Sequence, residues 1–118
     1  MAQAAFKPPE EAAGAPPIDR AHLARMTFGD TALERELLEL FDRQAALLVA
    51  RMGEADAPTV KTLAHTLKGS AVGIGAGEVA AAAAAVENAP DSERLAALGR
   101  CVERARLAIA AMLAPRAD

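Results

Sequence analysis

The chain has 118 residues, the size of one ordinary domain and too short for two with separate cores. Hydrophobic residues make up 53% of it, three of them aromatic and a large share alanine, and the abundant alanine, leucine, glutamate and arginine favour helix over sheet. A formal charge of −3 with no basic stripe argues against a nucleic-acid partner.

Residues 1–17 hold four of the seven prolines, with Ala, Gly and Glu between them and no apolar period. Such a stretch cannot offset the entropy of ordering, so a disordered Pro/Ala-rich leader is expected, followed by one helical domain over residues 18–115. A short helix over about 19–28 is predicted first, with Leu23, Met26 and Phe28 covering one end of the core. Gly29-Asp30 breaks it. Thr31 followed by Glu34 reads as a capping box opening a second helix over about 31–53, with Leu33, Leu37, Leu40, Phe41, Leu48 and Met52 on one stripe. Gln44 falls on the same stripe and needs a hydrogen-bond partner, either across the bundle toward His65 or, more simply, in the local backbone.

Asp56-Ala57-Pro58 starts a third helix, about 58–75, because proline suits the first turn. Gly73, Gly75 and Gly77 crowd its end and predict a tight turn. The fourth helix, about 77–88, places Val79, Ala83 and Val86 inward and fills most other positions with alanine. Asn88-Ala89-Pro90-Asp91 stops it. Asp91 or Ser92 then caps a fifth helix over about 92–114, with Leu95, Leu98, Val102, Ile109 and Leu113 facing inward. The expected fold is all-α, an antiparallel up-down four-helix bundle with a short N-terminal capping helix.

The third helix carries one of the two histidines. At about 100° per residue, Leu63, Leu67, Ser70 and Ile74 lie within about 60° of one another and form the expected buried stripe, widened by Ala64 and Ala71. His65 sits about 180° from its middle, on a face shared with Lys61, Lys68, Gly69 and Val72. A mid-helix glycine costs ~1 kcal/mol against alanine. In a chain so rich in alanine, Gly69 one turn beyond His65 points to space reserved for something docking there. Lys61 and Lys68 make the spot locally positive, suited to a phosphoryl group or an acidic partner surface.

His65-Thr66-Leu67-Lys68-Gly69-Ser70-Ala71, followed by Ile74-Gly75-Ala76 and Val86-Glu87, resembles the signature of histidine-containing phosphotransfer (HPt) domains, four-helix-bundle modules of two-component phosphorelays. The resemblance covers about residues 18–114. It implies that His65 accepts a phosphoryl group from a receiver domain, that Lys68 supports it electrostatically and that Gly69 leaves clearance for the receiver. Lys61, Thr62 and Val72 would then meet the partner, with Gln44 in support. Val79 and Ala83 stand where the family usually carries Leu and a larger residue, departures that affect packing alone. The implied partners are response-regulator receiver domains and a hybrid histidine kinase. No cofactor is expected in this chain, with Mg²⁺ in the receiver's acidic pocket. Neutral imidazole, with an ordinary pKa of about 6.5, is a competent nucleophile for such a step.

Other motifs are weaker. Lys68-Gly69-Ser70 has the wrong order for a phosphate-binding loop and no preceding strand, and Gly73-x-Gly75-x-Gly77 likewise lacks the strand of a dinucleotide fingerprint. His22 and His65 alone make no zinc site, and Cys101, the one cysteine, reads as a buried small hydrophobe. Ser70 reads as a packing residue or one bonded to the carbonyl a turn back. One cysteine, no signal-like segment and no long apolar run together fit a cytoplasmic monomer without a membrane anchor or a kinase's ATP site. Two other functions fit a helical bundle: a scaffold that binds receivers or other signalling proteins without carrying phosphate, and the dimerisation domain of a sensor kinase. Lys68-Gly69 after the histidine, and the end of the chain at Asp118, speak against the latter.

Overall fold

The computed structural model describes residues 6–9 and 16–115, and among them five helices and no strand. These are α1 (Arg20–Met26), α2 (Thr31–Met52), α3 (Ala57–Ile74), α4 (Gly77–Asn88) and α5 (Ser92–Leu113). The leader reading falls largely on residues 1–5 and 10–15, outside the described residues. Phe6 is half-buried, its ring centroid 4.6 Å from the Arg94 guanidinium carbon.

Aspartates open four of the five helices. Asp19, Asp30, Asp56 and Asp91 accept from the backbone N–H groups of His22, Leu33, Thr59 and Arg94, respectively, each satisfying a donor that the first turn leaves unpaired. Asp30 therefore caps α2, and the expected capping box at Thr31 is corrected. Thr31 is the first helical residue, because the aspartate one position earlier already supplies the acceptor.

Gly75 ends α3 in the left-handed region, at φ +81°. The Ala76 N–H returns to the Ala71 carbonyl at 2.8 Å and the Gly75 N–H to that of Val72 at 3.3 Å, a Schellman closure. Of the three glycines expected to make the turn, only Gly75 needs its freedom: Gly73 is still helical and Gly77 already opens α4. The same junction holds α1. Asp19 N–H donates to the Gly75 carbonyl at 2.9 Å, and His22 Nε2 lies 3.3 Å from the Gly73 carbonyl.

A second Schellman closure ends α1, with Gly29 N–H bonded to Ala24 O at 2.9 Å and Phe28 N–H to Arg25 O at 3.4 Å. Its left-handed position is filled by Phe28, at φ +53°. A non-glycine residue there costs about 1–2 kcal/mol. Phe28 is 95% exposed and Met26 is also exposed, so of the three residues expected to cover the core end only Leu23 does.

α2 packs on α3 and α5, α3 on α4, and α4 on α5. Alanine allows the closest of these approaches: Ala64 and Ala71 of α3 and Ala82 and Ala83 of α4 are all fully buried. Leu67, Val79, Val86, Leu98 and Cys101 fill the space between, at about 1.5–3 kcal/mol for each large apolar side chain. The buried stripe of α2 is Leu38, Phe41, Ala45, Leu48 and Met52. Leu33 and Leu40, expected inside, are exposed, and Leu37 and Gln44 are half-buried. On α3, Leu63, Ala64, Leu67, Ala71 and Ile74 are buried as expected, Val60 joins them, and Ser70 is only half-buried. On α5, Ala97, Cys101 and Ala105 join Leu98, Val102 and Ile109, while Leu95 and Leu113 are half-buried at the margin.

Ion pairs brace the helices at their edges. Arg106 Nε meets Asp42 Oδ1 at 2.8 Å, tying α5 to α2 and holding the guanidinium pKa above its ordinary value. Arg104 reaches the buried Glu78 with Nε at 3.0 Å and Nη2 at 3.3 Å, joining α5 to the first turn of α4. Arg35 Nη2 donates to the Leu113 carbonyl at 2.9 Å, which occupies an otherwise unpaired acceptor at the end of α5.

Candidate functional site

His65 projects from the middle of α3 with its side chain 68% exposed. The core residues Leu63, Ala64 and Leu67 around it fix the helix face, so the imidazole has a rigid base. Its Nδ1 lies 2.8 Å from Glu87 Oε2, and Lys68 Nζ lies 2.7 Å from the other oxygen of the same carboxylate, Oε1. One glutamate of α4 thus joins two α3 side chains set three residues apart.

The pairing determines the proton. Lys68, first, and then His65 hold the Glu87 carboxyl below the ordinary glutamate range by hydrogen bonding, so it is ionised at neutral pH. An ionised carboxylate has no proton to give, and Nδ1 must therefore be the donor. Nε2 has no hydrogen-bond partner among the described residues, and in the neutral ring it carries the lone pair.

The remaining expected site residues divide into two groups. Lys61, Thr62, Gly69 and Val72 are exposed on α3, with the Thr62 hydroxyl donating to the Pro58 carbonyl at 3.3 Å. A Cβ added at Gly69 meets nothing within 4 Å, so nothing inside the described fold requires a glycine there. Gln44 lies apart from the imidazole, in a groove between α2 and α3 with Leu37, Leu40, Phe41, Ser70 and Ile74. The ring's hydrogen bond goes to Glu87 instead.

Glu87 belongs to the motif that carries the resemblance, but helix spacing alone assigns it no role. Its signal was modest: α4 carries only two charged residues, and Glu87 follows the uncharged run from Val79 to Val86. An acid ending such a helix needs a reason, and Lys68 and His65 provide it. The carboxylate also alters the expected local charge, since Lys68 is paired and the spot is less positive than two lysines alone would make it. Among the described residues no group of three or more His, Cys, Asp or Glu side chains is placed to hold a metal, and no helix is long and apolar enough to cross a membrane.

A family model described as the Hpt domain matches residues 31–114, which runs from the first residue of α2 past the end of α5. No curated protein and no solved structure matches the chain. The family match takes in His65, Lys68, Gly69 and Glu87 and covers more than two thirds of the sequence. The chain therefore belongs to the Hpt domain family, the helical phosphocarriers of two-component signalling.

Proposed function

We propose that this chain is a phosphorelay intermediate that takes a phosphoryl group onto His65 from the aspartyl-phosphate of one receiver domain and passes it to another. The observation that carries this reading is the exposed imidazole with Nδ1 bonded to Glu87 and Nε2 left without a partner. In the transfer, the Nε2 lone pair attacks phosphorus. The bond between phosphorus and the aspartyl oxygen breaks, and its electron pair leaves with the receiver's carboxylate. The Nδ1 proton stays on the ring, which becomes a phosphoimidazolium beside the Glu87 carboxylate. That neighbour offsets the new positive charge and keeps Nε2 as the attacking atom. Reversal of the same steps hands the group on.

Lys68 is the residue assigned to offset phosphoryl charge, Gly69 the one that leaves clearance, and Lys61, Thr62 and Val72 those that meet the partner. The Mg²⁺ for the reaction belongs to the receiver, and kinase activity to a separate hybrid histidine kinase. The chain acts in this reading as a cytoplasmic monomer. Between α2 and α5 the joined residues run in opposite order, Arg35 to Leu113 and Asp42 to Arg106, and α3 and α4 follow one another through a tight turn at Gly75. They support an antiparallel up-down bundle of α2 to α5 with α1 as its cap.

The test is incubation with a phosphorylated receiver domain and Mg²⁺. Acid-labile, alkali-stable label on the chain, abolished by His65→Gln, is the expected result. A folded chain that takes no label from any receiver of its source cell would overturn the proposal and leave a binding scaffold.

A further inference from the structure

Departure of the phosphoryl group makes a different demand on His65 from its arrival. An aspartate oxygen of the receiver attacks phosphorus and a phosphorus–oxygen bond forms. The bond between phosphorus and Nε2 breaks, and its electron pair returns to the ring. With the Nδ1 proton in place, the leaving group is neutral imidazole. Without it, the leaving group is an imidazolate anion, and discharge is slow. A ring with the ordinary pKa of about 6.5 has lost that proton in most copies at neutral pH and above.

The groups around Nδ1 decide which form persists. On α3, Lys61 and the half-buried Lys68 share the face of His65, and both cations oppose a positive ring. α2 lines its groove with α3 with the uncharged Leu37, Leu40, Phe41 and Gln44, and α1 meets the end of α3 through Asp19 and His22. α4 carries two charged residues. Glu78 is at its first turn, held by Arg104 at 3.0 Å, and Glu87 places Oε2 2.8 Å from Nδ1. Lys68 takes the other oxygen, Oε1, at 2.7 Å, which fixes the carboxylate and leaves Oε2 to the ring. Lys68, first, and His65 keep that carboxyl below the ordinary glutamate range, so it stays ionised wherever the ring titrates.

We propose that Glu87 sets how long the phosphoryl group stays on His65. By holding the Nδ1 proton after transfer, it keeps the phosphohistidine in the form that discharges, and the chain relays phosphate instead of storing it. This rests on the reading of the chain as a phosphorelay intermediate. Once phosphate is bound, Lys68, one turn from His65, turns to the phosphoryl oxygens and leaves the Glu87 charge to the phosphoimidazolium. Water weakens such a pair in the free chain, and a docked receiver that excludes water strengthens it at the moment of discharge.

The experiment loads the full chain with phosphoramidate, which phosphorylates imidazole without a receiver, and subtracts the label that His65→Gln retains. ³¹P NMR then follows the Nε2-phosphohistidine through the neutral and alkaline range, and a purified unphosphorylated receiver domain with Mg²⁺ takes the group at each pH. The parent should titrate about half a unit above Glu87→Ala. The ratio of parent to Glu87→Ala discharge rates should rise from near one at acid pH to about tenfold at about pH 8.5. The receiver's own pH dependence cancels in that ratio. Glu87→Gln keeps an acceptor oxygen without the charge, and it should titrate with Glu87→Ala. Equal midpoints and a flat ratio would overturn the lifetime role and leave the relay in place. Glu87→Gln titrating with the parent would reduce Glu87 to an orienting group and overturn it too. A loaded parent chain that no receiver discharges at any pH would remove the relay reading and this role with it.

Discussion

Gly69 offers a prediction in which folding and function move in opposite directions. It lies inside α3, exposed, with open space where a Cβ would stand. Gly69→Ala adds no intramolecular clash and removes the backbone entropy cost of glycine, a gain of about 1 kcal/mol. For a domain of this size that corresponds to a melting temperature about 4 °C higher. Gly69→Gln should retain most of the helix gain while placing a long side chain one turn from His65. Chemical denaturation gives the stabilities, and single-turnover transfer at varied receiver concentration gives the docking. The expected order is a small docking loss for Ala and about a tenfold rise in half-saturating receiver for Gln, about 1.4 kcal/mol. If both variants are less stable than the parent, the clearance lies against the chain itself. If Gly69→Gln transfers like the parent, the receiver does not approach over that turn, and the role assigned to the glycine is wrong.

Glu87 acts through His65 as a positioning residue, so Glu87→Ala should slow single-turnover transfer about 10- to 100-fold, by analogy with the loss of a carboxylate that orients a metal-bound histidine. Melting should barely change, because the pair is solvent-exposed, and Glu87→Gln, which keeps an acceptor oxygen, should recover part of the rate. Gly75→Ala should destabilise the chain by about 1–2 kcal/mol in urea titration, since the glycine has φ +81° and an added Cβ would sit 3.0 Å from the Asp19 carbonyl oxygen. Acid should weaken the fold through its caps. Asp56 and Asp91 are held below the ordinary aspartate range chiefly by Thr59 and by Arg94. A lowered folded pKa gives stability that is present above the unfolded value of about 3.9 and lost as pH falls through the folded one. Asp56→Asn, which still caps, should flatten that part of the acid profile in circular dichroism melts.

The helices were legible because their punctuation is strong. Asp56 before Pro58, Asp91 after Pro90 and Gly75 after the α3 stripe each act on the backbone through local chemistry, and the structure places the ends within two residues of expectation. α2 was less legible. Leucine occupies positions 33, 37, 38, 40, 47 and 48, so two overlapping stripes satisfy the same period, and periodicity cannot say which faces the core. The choice is made by tertiary contacts such as that of Asp42 with Arg106. The face carrying His65 followed from α3 alone, but the hydrogen bond that sets its tautomer did not. Glu87 is 22 residues away and meets the ring only because alanine lets α4 approach α3 so closely. Spacing within one helix carries no trace of such a pair.

The most direct test of the account is the phosphorus–nitrogen bond itself. ³¹P and ¹⁵N NMR of the full chain, after transfer from a phosphorylated receiver, should show one phosphohistidine at His65, substituted at Nε2, with the proton retained on Nδ1. Phosphate on Nδ1, or on any residue other than His65, would contradict it.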